Sequence, residues 1–155
     1  MIMSILRKVL VPTLLITGIY SFAQTKSYTV KNVDQMAVYP GCDKTSSNQE
    51  LTDCFARKIS AALGSTIDIT VLENEYKDKK DVNFVSKAML TITKDGKIDN
   101  IEVIGDEKLN KLVKVGLNRI NENLEINNTS IIPAKDEKGK NVDLAYSLPV
   151  RFAFQ

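Results

Sequence analysis

Cys42 and Cys54 are the side chains best suited to covalent chemistry in this chain of 155 residues. The chain has no histidine, which excludes Ser-His-Asp and Cys-His nucleophile systems, the common zinc sites and the usual neutral-pH proton shuttle. The cysteines stand 12 positions apart, unlike the C-x-x-C spacing that tunes a redox thiolate. No paired carboxylates form a recognisable catalytic motif. We therefore expect no enzyme, metal site or cofactor, and a structural disulfide rather than a redox pair.

Residues 1–23 have the layout of an export signal. Basic Arg7 and Lys8 precede an apolar run over residues 9–22, and small residues precede a cleavage site after Ala23. The run is about 15 residues long, shorter than the roughly 20 that a membrane span needs. We expect cleavage after Ala23 and a soluble periplasmic protein; an uncleaved inner-membrane anchor is the alternative. In that exported compartment two cysteines are expected to pair.

The mature chain is large enough for one domain with a core. We expect that domain at residues 38–155, after an extended or mobile lead-in at residues 24–37. Removing Arg7 and Lys8 with the signal leaves 19 of the 21 basic residues, equal to the 19 acidic ones. A neutral domain lacks the clustered Lys and Arg that nucleic-acid binding requires, so we expect no nucleic-acid partner.

Hydrophobic periodicity predicts two helices. Ser47-x-x-Glu50 is a capping box, and a stripe of apolar residues at helical spacing follows it and ends at Gly64, a plausible helix stop. Asp106 opens a second helical stripe, in which Gly116 would allow close approach to a sheet, and 121–128 is expected to be loop. The stripes are Leu51, Cys54, Phe55, Ile59, Ala62 and Leu63, then Leu109, Leu112, Val113, Gly116, Leu117 and Ile120.

Strand signals fill the rest. A hairpin spans residues 83–104 around Lys94-Asp95-Gly96-Lys97, because Asp-Gly tolerates the positive φ of such turns. Strict alternation over residues 142–154 predicts a long last strand after a Lys138-Gly139-Lys140 turn. Residues 67–71 alternate and suggest a short strand, followed by a charged loop or helix end to residue 81. The element order predicts an α+β domain, with two helices packed on one face of a small antiparallel sheet of three main strands.

Three segments together carry a resemblance to a known family. Residues 88–105, with their Asp95-Gly96 turn, resemble the hairpin of the TonB C-terminal domain. Residues 132–152, with Ile132-Pro133-Ala134 and Leu148-Pro149-Val150-Arg151-Phe152, resemble that family's ending. Tyr39-Pro40-Gly41-Cys42 with Cys54-Phe55 resembles the lead-in of TonB-like proteins of the Bacteroidetes.

The resemblance implies a domain of the cell envelope that binds extended peptide segments, such as the TonB boxes of outer-membrane receptors, by β-strand addition. Proline cannot donate a ladder hydrogen bond, so the strand with Pro149 is expected at a sheet edge or bulge. By the resemblance we place a peptide along Ala145 to Phe152, at Ala145, Ser147, Val150 and Arg151, where Arg151 could pair with an acidic side chain. The alternative is that this strand is simply core, protected at its edge by Pro149 and Arg151. Replacing Val150 with proline is expected to remove an edge donor.

The family's energy transducers carry an uncleaved membrane helix and a Pro-rich spacer, neither of which we recognise here. We therefore expect binding, with a place in transmembrane transport, but without energy transduction. The alternatives are a minimal anchored transducer, if residues 9–22 stay in the membrane, and a secreted inhibitor or structural envelope protein with no transport role. The identity of the partner and the oligomeric state do not follow from the sequence.

Overall fold

The computed structural model describes residues 27–77 and 82–154 and confirms the α+β class. The expected signal peptide, its cleavage site and the alternative membrane anchor lie outside these residues. No helix in the described ranges is long and apolar enough to cross a membrane. The elements are β1 (Tyr28–Thr29), α1 (Asn48–Thr66), α2 (Thr70–Tyr76), β2 (Val82–Ile92), β3 (Ile98–Gly105), α3 (Glu107–Ile126), β4 (Ala134–Lys135), β5 (Asn141–Val142) and β6 (Leu144–Phe154).

Helix α1 begins as its sequence predicts but ends later. The Ser47 side chain accepts from the Glu50 N–H, and the Ser47 N–H donates to Glu50 Oε2 at 2.9 Å, which completes the capping box. Gly64 is not a stop: the helix continues to Thr66, and the Ile67 N–H bonds the Leu63 carbonyl at 3.0 Å. Gly64 is absent from the residues with positive φ, so it does not form the left-handed cap that would end a helix there.

The prediction of a short strand at residues 67–71 is wrong. Asp68 Oδ1 accepts hydrogen bonds from the Thr70 N–H at 3.1 Å and the Thr70 hydroxyl at 2.6 Å. These bonds turn the chain into α2, which buries Leu72 completely. A local side-chain bond to the backbone therefore overrides an alternating pattern only five residues long.

The sheet order is β1-β6-β2-β3. β2 pairs antiparallel with β6 along the whole of both strands, and with β3 through the expected hairpin, whose Gly96 has φ +79°. The sheet is mixed rather than purely antiparallel, because β1 runs parallel to β6 with the pairs Tyr28–Leu144 and Thr29–Ala145. The second expected turn is also present, with Gly139 at φ +72° between β4 and β5.

Helices cover one face of the sheet. α3 is capped by Asp106, as expected, but extends to Ile126 through residues predicted as loop. Its last turns are tied to β3, since the Asn121 side chain bonds both the N–H and the carbonyl of Ile98 at 2.9 and 2.7 Å. α2 lies on the same side, with Tyr76 edge-on to Phe84 at 5.0 Å. Three helices therefore share this face instead of the expected two.

Gly116 of α3 faces a helix, not the sheet. A Cβ added there would lie 2.8 Å from both Leu63 Cδ1 and Ile67 Cγ1 of the α1 end. The Thr66 hydroxyl donates to the Gly116 carbonyl at 3.1 Å. The expectation of a close helix–sheet approach is replaced by a close approach of α3 to α1, which fixes where α1 lies over the sheet.

The segment before α1 is built into the fold. β1 pairs with β6, and Met36 and Ala37 are fully buried. Isolated β-bridges pair Gln35 with Lys135 and Val38 with Ile132. The part of the expected lead-in that the structure describes therefore supplies a strand and core side chains.

Candidate functional site

Two strands of the sheet have a side without a partner strand in the described ranges, β3 at the end of the strand order and β6 beyond its short pairing with β1. One side of β6 is paired with β2 from Leu144 to Phe154, while the other side is paired with β1 only at Leu144 and Ala145. Within residues 27–77 and 82–154, no strand pairs with this outer side beyond Ala145. β6 is therefore an interior strand at its beginning and an edge strand for the rest of its length, which agrees with the proline at position 149.

The direction of each backbone group follows from one hydrogen bond. The Asp106 N–H donates to the Val85 carbonyl at 3.1 Å, so the backbone groups of Val85 face β3. Opposed residues of an antiparallel ladder alternate between hydrogen-bonded and non-hydrogen-bonded pairs. Val85 is opposite Arg151, and this pair must therefore be non-hydrogen-bonded on the β2–β6 side.

The backbone groups of Arg151 consequently point to the outer side of β6, as do those of Ser147 and the carbonyl of Pro149 by the same alternation. Pro149 lies opposite Lys87 in an uninterrupted ladder, because its ring nitrogen faces away from β2 and no ladder bond is lost. Residues 147–153 thus present alternating backbone donors and acceptors, interrupted at one position by a proline.

The four residues expected to bind peptide are placed differently. Ser147 and Arg151 are exposed with outward backbone groups. Ala145 is also exposed, but its outer backbone side is already paired with Thr29 of β1. Val150 is buried and pairs with Ser86 in a hydrogen-bonded position. Replacing Val150 with proline would therefore remove a ladder donor to β2, contrary to the expectation that it removes an edge donor.

A pocket adjoins the far end of this edge. It has a volume of about 310 Å³ and lies between α1 and β6. Its walls are Ser60, Leu63 and Gly64 on the helix and residues 149–152 on the strand. Gly64 is part of the wall, and a Cβ there would meet nothing within 4 Å. The only sequence signal for this wall is Gly64 itself, which the sequence pattern predicts as a helix stop.

A larger groove of about 640 Å³ adjoins the near end of the edge. Residues 29–31, which turn away after β1, and Thr52 of α1 form one side of it. Tyr146 and Ser147 of β6 form another side, and the groove continues onto the uncovered sheet face at Met89. Two depressions therefore flank the unpaired stretch of β6, one at each end.

The charge beside the far end of the edge is positive. Arg151 is the one charged residue among those lining the smaller pocket, and neither Arg151 nor Lys87 forms an ion pair with any described residue. Lys87 is opposite Pro149, so the two cations are diagonal neighbours on the uncovered face. An exposed, unpaired pair of cations is available to an anionic group of a ligand.

The disulfide is connected to the site through packed aromatic side chains. Cys42 and Cys54 are bonded, with Cα atoms 6.0 Å apart, and tie the turn after Tyr39 to α1. Tyr39 packs edge-on against Phe55 at 5.6 Å, and Phe55 packs against Tyr146 at 5.0 Å. The covalent link therefore braces an aromatic series that ends on β6.

Tyr146 is the titratable group of the site whose environment changes its acidity. Burial raises the pKa of its phenol above the ordinary value of 10.0, and the negative charge of Asp53 raises it further. The phenol is therefore neutral at physiological pH and acts as a packing group. No cluster of side chains suited to hold a metal ion occurs in the described part of the chain.

Comparison with protein-family models, curated proteins and solved structures found no match to this chain. The resemblance to the TonB C-terminal domain therefore rests on the sequence motifs alone.

Proposed function

We propose that this protein is a peptide-binding module of the TonB C-terminal type, which captures an extended segment by adding it as a strand along residues 147–153. The observation that carries the proposal is the unpaired outer side of β6 beyond Ala145. Strand addition needs such an edge, because its affinity comes from main-chain hydrogen bonds. The shallow pockets at either end would then read the alternate side chains.

Two features of the edge indicate a ligand-binding site that is protected against pairing with other copies of the protein. Pro149 and Arg151 are the residue types that natural edges use to prevent self-association. Each leaves room for a ligand: the proline removes one donor and keeps its carbonyl, and the arginine is exposed. A captured segment would therefore bond on both sides of Pro149, at Ser147 and at Arg151.

The TonB resemblance and the export signal together suggest the partner. We propose that the protein acts in the periplasm on an extended segment of an outer-membrane or periplasmic protein, with a TonB box of a receptor as the first choice. It would take part in TonB-dependent transport by binding and would not transduce energy. Recovery of proteases and no receptors in a pull-down from periplasmic extract would favour an inhibitor instead.

The proposal is tested by removing an outward N–H. Ser147→Pro deletes such a donor and adds a ring at the edge, whereas Ser147→Ala keeps the donor and is the matched control. Segments are first selected on wild-type oxidised protein from a displayed library of random ten-residue peptides, and their affinities are then measured by fluorescence anisotropy.

Loss of one hydrogen bond and the added steric conflict should weaken binding about tenfold in Ser147→Pro. The alanine variant should bind like wild type, and the circular dichroism of both variants should be native. Undiminished affinity in a folded Ser147→Pro variant would refute docking at this edge.

A further inference from the structure

We infer that the captured segment contains an apolar residue immediately next to an acidic residue, and that Gly64 and Arg151 read these two side chains on opposite faces of the sheet. This inference rests on the proposed function and makes it more specific. It assigns to Gly64 a role as a specificity-determining residue, and to the basic pair on the uncovered face a role in recognising charge.

The preference for an apolar ligand residue follows from the strand register. Side chains directly opposite each other on neighbouring strands point to the same face of a sheet. Val150 points to the helix face, where it is buried. A ligand residue opposite Val150 would therefore direct its side chain into the pocket of about 310 Å³, whose walls include Leu63 and Phe152. An apolar side chain of moderate size fits that environment.

The glycine at position 64 has no structural cause in the described fold. Its φ is not positive, and a Cβ would meet nothing within 4 Å. A glycine inside a helix is destabilising relative to alanine, so the chain keeps a residue that weakens α1. What the glycine does provide is the opening of the pocket, because any larger side chain would project into it.

The preference for an acidic ligand residue follows from the alternation of side chains between the two faces of a strand. The ligand residues on either side of the one in the pocket lie opposite Pro149 and Arg151, on the uncovered face. There they meet Arg151 and, diagonally across Pro149, Lys87. On β3 the residue opposite Lys87 is Ile104 and its diagonal neighbour is Glu102, but no described acid forms an ion pair with either cation. An acidic ligand side chain would supply the missing counter-charge.

The test uses the peptides selected from the random ten-residue library on oxidised wild-type protein. We expect them to be enriched in an acidic residue adjacent to an apolar one. For one such peptide, affinity is measured with Gly64→Leu, which fills the pocket, and with one matched control. Ala61→Leu places the same side chain on an exposed α1 position that does not line the pocket.

Gly64→Leu should bind about tenfold more weakly, since the apolar side chain of the peptide loses its burial, and Ala61→Leu should bind within about twofold of wild type. Arg151→Glu should weaken the acidic peptide about fivefold, as expected for an exposed ion pair. A peptide with lysine in place of its acidic residue should recover affinity for the Arg151→Glu variant and not for wild type.

The outcomes separate the two proposals. In one outcome, the selected peptides need the Ser147 N–H but show no acidic enrichment, bind Gly64→Leu as well as wild type, and do not recover affinity for Arg151→Glu when their acidic residue is replaced by lysine. That outcome would overturn this inference and leave strand addition standing. Failure to select any peptide would overturn both. Equal loss of affinity in Gly64→Leu and Ala61→Leu would also overturn it, because a general effect on α1 would then explain the result.

Discussion

Replacing Gly116 with alanine should destabilise the protein, although the same change elsewhere in a helix stabilises it. Gly116 is buried where α3 crosses α1, and its new Cβ would lie 2.8 Å from Leu63 Cδ1 and Ile67 Cγ1, and 3.1 Å from Thr66 Oγ1. The two contacts at 2.8 Å are shorter than Cβ atoms make in proteins, and the contact with Thr66 Oγ1 is tight. Either α1 must move away from α3, or the two apolar side chains must leave their rotamers.

The magnitude follows from two opposed terms. Alanine is favoured over glycine in a helix interior by about 1 kcal/mol. Inserting a methyl group into a packed interface costs about 1–3 kcal/mol. The net change at Gly116 is therefore a loss of up to about 2 kcal/mol. Gly64→Ala is the matched control, because its Cβ meets nothing within 4 Å and it should stabilise by about 1 kcal/mol.

The assay is urea unfolding followed by circular dichroism. With the usual slope of about 1–3 kcal/mol per molar, the two variants should move the midpoint in opposite directions. Their difference in free energy isolates the steric cost. If Gly116→Ala stabilises the protein as much as Gly64→Ala does, the close approach of α1 and α3 is refuted, and with it our account of how the pocket wall is positioned.

Two further predictions concern stability. Reducing the Cys42–Cys54 bond should lower the free energy of unfolding by about 3 kcal/mol, the chain-entropy cost of opening a loop of this size; two reactive thiols in the native exported protein would contradict the bond. The hydrogen bond from the Ser47 N–H holds the pKa of Glu50 below its ordinary value of 4.5. The stabilisation that this bond gives to the folded protein is therefore complete above about pH 5, and it is lost as the pH falls through the pKa of Glu50 in the folded state. Glu50→Gln should flatten the acid limb of a pH–stability curve, and an unchanged limb would disprove the contribution. Between pH 6 and 8 stability should stay nearly constant, because the chain has no histidine.

The local elements were predictable where a strong short-range signal agreed with the fold. The capping box at Ser47, the Asp95-Gly96 turn and the alternation of β6 each depend on neighbours a few residues away. The segment at residues 67–71 was not predictable by alternation, because the bonds of Asp68 to Thr70 outweigh so short a pattern. The last turns of α3 were not predicted for a different reason, since two long-range hydrogen bonds between Asn121 and Ile98 hold them.

The candidate site shows the same division. The sequence indicated β6 and Pro149 as an edge, because the missing donor of a proline is a local property. Which residues of β6 point their backbone outward depends on the pairing of a strand some sixty positions earlier, and only the bond from Asp106 to Val85 decides it. The two glycines that matter most, Gly64 and Gly116, could not be assigned from the sequence. A glycine's role depends on what its missing Cβ would meet in space.

The sequence by itself determined the α+β class, the hairpin, the starts of α1 and α3 and the pairing of the two cysteines, because periodicity, caps and turns depend on short-range interactions. Tertiary structure alone decided that β1 makes the sheet mixed and stops after two residues, so that in the described part of the chain the outer side of β6 has no partner strand beyond Ala145. It also decided that α1 leaves a pocket beside that edge. Both depend on contacts between residues far apart in the chain, and no local pattern encodes where such segments meet.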